Sequence, residues 1–255
     1  MSRPKLSIAI ITLNEERNIA ACIESVQHLC DEIVVVDSGS TDRTVEIATE
    51  LGAVIFVQPF LGDGGQKQFA TDCCTHDWVF VIDADERLIT EESFRDRLSN
   101  LDEHSQYAVR RANHIMGERI RYGDSYPDYV VRLFNRKRSK FLIHEHTTLV
   151  GANTIFTNIE LSHLTHPSLL VMYQKMIHFA VHSAQDRRRA GRKGKSGVPS
   201  AVWMFFKMYV IQRGFLDGWL GLHWAISASF RSFLKHELTK EAERMTERSS
   251  NSEEP

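Results

Sequence analysis

Two carboxylates one residue apart, in Asp83-Ala84-Asp85-Glu86, directly follow the apolar run Trp78-Val79-Phe80-Val81-Ile82. A D-x-D pair arises by chance about once in a chain this acidic, so its weight comes from its place at the end of a strand-like run. Two earlier apolar runs also end in polar groups, in Thr12-Leu13-Asn14-Glu15 and in Asp37-Ser38-Gly39-Ser40-Thr41-Asp42. Carboxylate oxygens gathered at strand tips can hold a hard divalent cation, Mg2+ or Mn2+, and leave positions for phosphate oxygens. A departing nucleoside diphosphate needs that neutralisation. Asp85 is the expected metal ligand, and Asp83 is expected to reach the ribose, or the metal through water. Asp37 is expected to accept from the base or ribose, and Thr12, Asn14 and Glu15 to line the nucleoside pocket. Ser38 and Gly39 make a tight turn that admits close backbone approach. Gly62-Asp63-Gly64-Gly65-Gln66-Lys67 reads as a flexible loop, with Lys67 either a point charge near the phosphates or a solvated surface lysine.

These groups need a scaffold that brings strand ends together. Residues 6–11, 33–36, 53–57 and 78–82 are short, continuous apolar runs, as strands buried on both faces of a parallel sheet require. Helical patterns lie between them at residues 18–29, 44–51 and 66–74, and another follows Thr90, an expected N-cap with Glu91 and Glu92 in the first turn, to Leu101. This alternation predicts an α/β fold with a doubly wound, mostly parallel central sheet and helices on both faces. Ligands of such sheets bind beyond the carboxyl ends of the strands. Residues 106–156 are mixed, with strand-like 107–110, 129–134 and 147–150, and are the expected acceptor side.

Composition narrows the class. The chain has 255 residues, 42% of them hydrophobic, and a formal net charge of −2. That is enough for a real core and gives no overall pull toward nucleic acid. Cys22, Cys30, Cys73 and Cys74 form neither a C-x-x-C nor a disulfide framework, which fits a reducing, cytoplasmic setting. The first apolar run is too short for a signal sequence, and no apolar stretch reaches the ~18 to 20 residues that span a bilayer. G-x-G-x-x-G and G-x-x-x-x-G-K-[ST] are both absent, which argues against a nicotinamide dehydrogenase and a P-loop kinase. His144, His146, His163 and His166 fit no common zinc spacing.

Ile10-Ile11-Thr12-Leu13-Asn14-Glu15-Glu16, Glu32 to Thr44 and Asp83-Ala84-Asp85-Glu86 together resemble the glycosyltransferase family 2 pattern in order and spacing. Gly65-Gln66-Lys67, Tyr126 to Phe134, Ile143-His144-Glu145 and Gly214 to Trp219 are similar to a bacterial subgroup that adds glucose to the inner core of lipopolysaccharide or lipooligosaccharide. One departure is Gly62-Asp63-Gly64-Gly65, which replaces a more compact segment. The resemblance implies a GT-A fold and an inverting, metal-dependent hexosyltransferase. Its donor would be a UDP-sugar, UDP-glucose first, and its acceptor a lipid-linked glycan, inner-core heptose first. An inverting displacement needs one general base facing the acceptor hydroxyl. Glu145 is the first candidate, because the family's base lies well after the D-x-D, and Asp128 is the second. Transfer to another surface glycan, a binding protein that has lost transfer, and a nucleotidyltransferase are the alternatives. The last would want a basic loop where Asn14, Glu15 and Glu16 stand.

After Pro167 the pattern turns helical. Residues 169–189 are followed by a glycine-rich basic loop, an apolar segment at 201–211, and a helix with Phe215, Trp219, Leu222, Ile226, Phe230 and Phe233 on one face. The expected organisation is a catalytic domain over 1–166, a helical segment over 167–239 and a frayed tail over 240–255. The helical segment either packs on the core, forms a dimer contact, or lies on the cytoplasmic face of the inner membrane. In the last case Trp203, Phe205, Phe206, Trp219 and Trp224 would sit at the interface. The sequence sets no oligomeric state.

Overall fold

The structure, a computed structural model, describes residues 3–142 and 149–251. The first elements alternate as the apolar runs require: β1 (Leu6–Thr12), α1 (Ile19–Val26), β2 (Glu32–Asp37), α2 (Thr44–Glu50), β3 (Val54–Val57), α3 (Asp63–Cys73) and β4 (Trp78–Asp83). Then come β5 (Glu86–Leu88), α4 (Glu91–Ser99), β6 (Ser105–Ile115), β7 (Glu118–Arg119), β8 (Asp128–Asn135), β9 (Lys140–Phe141), β10 (Leu149–Val150) and β11 (Asn153–His166). The chain ends in α5 (Leu169–Arg189), α6 (Gly197–Phe206), a π-helical turn at Lys207–Ile211, a 3-10 turn at Gly214–Asp217 and α7 (Gly218–Asn251). It divides into two units, residues 1–112 with 127–163, and residues 113–126 with 164–255.

In the first unit the strand order is β3-β2-β1-β4-β8-β6-β11-β5. The pairings β3-β2, β2-β1 and β1-β4 are parallel, while β4-β8, β8-β6 and β11-β5 are antiparallel. Alternate residues of the parallel strands serve two cores. Leu6, Ile8, Ile10, Ile33, Val35, Phe80 and Ile82 pack with Ile19, Ile23 and Val26 of α1, Ala48 of α2, and Phe94 and Leu98 of α4. Ala9, Val34, Val36, Val79 and Val81 face the other way, toward Ala70 of α3 and Cys74, with Phe134 and Phe141. Phe80 and Phe94 meet edge-on with ring centroids 4.8 Å apart, worth about 0.5–1.5 kcal/mol beyond the area buried.

Three local expectations are corrected. The helix expected from Gln66 starts at Asp63 and takes in Gly64 and Gly65, which are buried, so most of the supposed flexible loop is helix. Only Gly62, with φ +84°, turns the chain into it. Thr90 does not cap α4 through its side chain; its hydroxyl accepts from the Glu160 amide at 2.7 Å and ties the helix start to β11. β11 itself, 14 residues long, stands where no strand is expected beyond residue 156.

In the second unit Ile115 and Ile120 pack with Met172 of α5 and Leu220 of α7. Asp217 accepts from the amides of Arg121 and Tyr122 at 2.9 and 2.7 Å. These contacts explain why residues 113–126 belong with the helices. α7 continues without a break through Lys240 to Asn251, over part of the expected frayed tail. Among the described residues no helix is long and apolar enough to cross a membrane.

Candidate active site

The sheet register sets the site. Thr12 pairs with Asp37, and Ile11 with Asp83, so the ends of β2, β1 and β4 lie side by side at one edge. Neighbouring strands are about 4.8 Å apart, so the Asp37 and Asp83 backbones are separated by about 10 Å. Their side chains follow the strand alternation to opposite layers. Asp37 is in phase with Val35, on the α1–α2 side, and Asp83 with Val81, on the α3 side.

Asp37, 2% exposed, is a turn anchor. Its carboxylate accepts from the Gly39 and Ser40 amides, both at 2.8 Å, and from the Ser40 hydroxyl. Three of its about four acceptor positions are thereby used inside the loop. Gly39 sits at φ +102°, a conformation that favours glycine. The β1 loop is joined to this turn. The Asn14 amide donates to Ser40 Oγ at 2.8 Å, and Asn14 Oδ1 accepts from the Thr41 amide at 2.9 Å. Asn14 holds φ +55° to do so. The Glu15 carboxylate turns back to accept from Asn18 at 2.7 Å. Thr12 Oγ1 is buried and has no hydrogen-bond partner among the described residues, which is costly unless something else meets it. Ser38 Oγ accepts from Gln66 Nε2 at 3.1 Å; that side chain also donates to the Gln58 carbonyl and accepts from the Leu61 amide. Gln66 thus fixes the β2 turn from the α3 side.

Around the D-x-D the charges are arranged in an order that spacing does not reveal. Lys67, 4% exposed at its side chain, lies 3.1 Å from Asp63 and 3.0 Å from Asp83. Arg132 of β8, 3% exposed, donates to Asp83 Oδ2 at 2.6 Å and to Glu86 Oε1 at 2.5 Å. Glu86 is fully buried, and its other oxygen accepts from the Asp83 amide at 3.0 Å. Burial by itself would raise the Asp83 carboxyl, but Arg132 and then Lys67 outweigh it and hold that carboxyl well below the usual carboxylate range. Asp83 is therefore a fixed anion already shared by two cations. Asp85 differs: the ion-pair partner it has among the described residues is His163 Nε2 on β11, at 3.4 Å.

The remaining candidates fall as follows. Lys67 is buried in this charge network and is therefore not the solvated surface lysine of one sequence reading. Asp128 accepts from Arg111 at 2.7 Å, and Arg111 also approaches Glu86 at 3.7 Å. Glu145, with His144 and His146, lies outside the described residues. Among the described residues no three His, Cys, Asp or Glu side chains are grouped to hold a metal by themselves. Asp85 does fit a cation that takes further ligands from elsewhere, because a carboxylate oxygen suits Mg2+ and Mn2+, and the His163 nitrogen 3.4 Å away is a second donor beside it. Arg132, Glu86 and His163 were not picked out as site residues from the sequence. Arg132 was hidden in an ordinary strand pattern, whereas His163 continues the alternation Ile155, Thr157, Ile159, Leu161, which marks β11 and points the histidine to the same face.

The model of glycosyl transferase family 2 matches residues 7–159, from the first strand into β11. The chain belongs to this family. An uncharacterised glycosyltransferase of Rickettsia typhi is 32% identical over 251 residues, covering 91% of this chain and 85% of that protein. The lipopolysaccharide core biosynthesis glycosyltransferase LpsC of Rhizobium meliloti is 36% identical over 192 residues, 68% of each chain. Among solved structures, glucosyl-3-phosphoglycerate synthase from Mycobacterium tuberculosis, in complex with Mn2+, UDP and glucosyl-3-phosphoglycerate, matches 44% of each chain at 27% identity and a TM-score of 0.35. The family 2 chain is a glycosyltransferase with an α/β fold of the GT-A type, as the motif order implied.

Proposed function

We propose that this transferase moves a hexose, glucose in the first instance, from a UDP-sugar to a lipid-linked acceptor with inversion at the transferred carbon, and that the acceptor is inner-core heptose of lipopolysaccharide. The acceptor assignment leans on the likeness to LpsC, whose name places that protein in lipopolysaccharide core biosynthesis. The observation that carries the catalytic reading is the division of labour in the D-x-D. Lys67 and Arg132 neutralise Asp83, whereas Asp85 meets only His163 among the described residues and keeps its carboxylate for a cation.

Asp85 and His163 would hold a divalent cation, Mg2+ or Mn2+, which would supply charge neutralisation for the departing diphosphate. Asp83 keeps the turn rigid and would reach the ribose, or the cation through water. The Thr12 hydroxyl, unpartnered among the described residues, and the backbone of the Asn14–Glu15 and Ser38–Gly39 turns line the nucleoside pocket, and Asp37 uses its remaining acceptor position toward the base or ribose. Glu145 takes the proton of the acceptor hydroxyl as it attacks from the side opposite UDP; Asp128, tied to Arg111, is the second candidate. No covalent intermediate on the protein is needed.

Incubation with UDP-glucose, a heptose-containing core acceptor and Mg2+ or Mn2+ tests this reading. UDP should be released in step with glucosylated product of inverted anomeric configuration. Donor binding without any UDP release under these conditions would favour a nucleotide-sugar-binding protein instead.

A further inference from the structure

The second unit carries an apolar face that is exposed among the described residues. Val198, Val202, Phe206 and Val210 recur at four-residue spacing along α6 and the π-helical turn, all of them exposed. Trp203, 58% exposed, lies beside Phe206, with ring centroids 6.4 Å apart. The chain then returns through the exposed Trp219 at the start of α7. Scattered exposed apolar residues are ordinary, but a run of this kind on one element marks an interaction surface. Trp224, in contrast, is turned inward, and its indole donates to the Gly123 carbonyl at 3.2 Å.

Charge says what the surface fits. Residues 187–236 hold ten Lys and Arg against one acid, Asp217, with Asp186 and Glu237 just outside and Asp124 3.9 Å from Lys207, in a chain whose net charge is −2. Asp217 spends its carboxylate on the Arg121 and Tyr122 amides. The basic residues border the apolar ones in the chain: Lys195 precedes α6, Lys207 follows Phe206, and Arg213 and Arg231 are exposed at either end of the return. We propose that this face of α6 and α7 docks in the plane of an anionic lipid bilayer, with Trp203 and Phe206 in the acyl boundary and the basic residues at the headgroups. A two-fold copy of the chain would set the same cations against one another, which disfavours self-association through this surface. The surface deepens the lipid-linked acceptor reading, yet vesicle binding needs no donor, so the two fail separately.

The test is co-sedimentation of the full chain with phosphatidylcholine vesicles, with and without about one-third phosphatidylglycerol. The anionic vesicles should bind at least about tenfold more tightly, and a blue shift of tryptophan fluorescence should accompany binding. Trp203→Ser with Phe206→Ser should weaken that binding about tenfold or more. Lys195→Glu with Arg231→Glu, a second variant that leaves the apolar face intact, should remove the preference for anionic lipid. Both variants should keep the wild-type thermal midpoint. Equal binding of the wild type to neutral and anionic vesicles, or to neither, overturns the proposal. So does light scattering that shows a wild-type dimer which the Trp203/Phe206 variant converts to monomer.

Discussion

Replacing Arg132 by methionine tests the charge arrangement on which the site is built. The guanidinium is 3% exposed and donates to both Asp83 and the fully buried Glu86. Methionine fills much of the same volume but leaves two carboxylates short of a cation in a water-poor setting. Removing one partner of a buried ion pair costs about 3–5 kcal/mol. Lys67 at 3.0 Å from Asp83 and Arg111 at 3.7 Å from Glu86 remain, so the lower end of that range applies. For a chain of this size, about 3 kcal/mol lowers the thermal midpoint by roughly 6–12 °C. Circular dichroism melts at pH 7 measure it, with Arg43→Met, which breaks only an exposed pair with Glu46, as the control. The pH dependence gives an independent check. The folded Asp83 carboxyl is depressed, so its contribution is fully present above its unfolded value of about 4 and is lost as pH falls below that toward the folded value. In Arg132→Met this acid loss should become shallower between about pH 5 and pH 3. A variant melting within about 1 °C of wild type, with an unchanged acid limb, would mean that Arg132 does not neutralise Asp83 and Glu86.

Three further outcomes follow from the site. Asp85→Ala should reduce UDP release to background while the thermal midpoint stays close to wild type, because a partly exposed carboxylate at a strand end adds little to stability; near wild-type turnover would remove Asp85 from the cation site. His163→Ala should raise the Mn2+ concentration needed for half-maximal activity about 10–100-fold, and an unchanged metal titration would make the histidine structural. Glu145→Gln should keep UDP-sugar binding by calorimetry and lose about 10²–10⁴-fold in turnover; retained turnover would move the base to Asp128 or elsewhere.

The parallel half of the fold was legible because its strands are buried on both faces and therefore read as unbroken apolar runs, each ended by a polar turn. The register that aligns Thr12 with Asp37 and Ile11 with Asp83 follows from that pattern. Beyond β4 the strands turn antiparallel and half-exposed, so their signal weakens to an alternation such as Ile155, Thr157, Ile159, Leu161, and β11 with His163 was overlooked. The D-x-D was visible as a motif, but its inner partition was not. Nothing in local sequence says that Arg132, 49 residues after Asp83, takes that carboxylate, or that Lys67 turns inward from a helix that begins three residues early. Long-range ion pairs depend on which strands become neighbours, and that is settled by the tertiary fold.

On the proposed function Asp85, which meets no Lys or Arg among the described residues, binds the UDP-sugar through a divalent ion. The direct measurement is the thermal shift produced by UDP-glucose with Mn2+, with Mn2+ replaced by EDTA, and with Asp85→Ala. At a hundredfold excess over the dissociation constant, binding stabilises the fold by about 2.7 kcal/mol, a rise of roughly 5–10 °C, and GDP- and CMP-sugars should produce less. This rise is expected only for the wild type with the cation present. The same rise in EDTA, or in the Asp85→Ala variant, would contradict it.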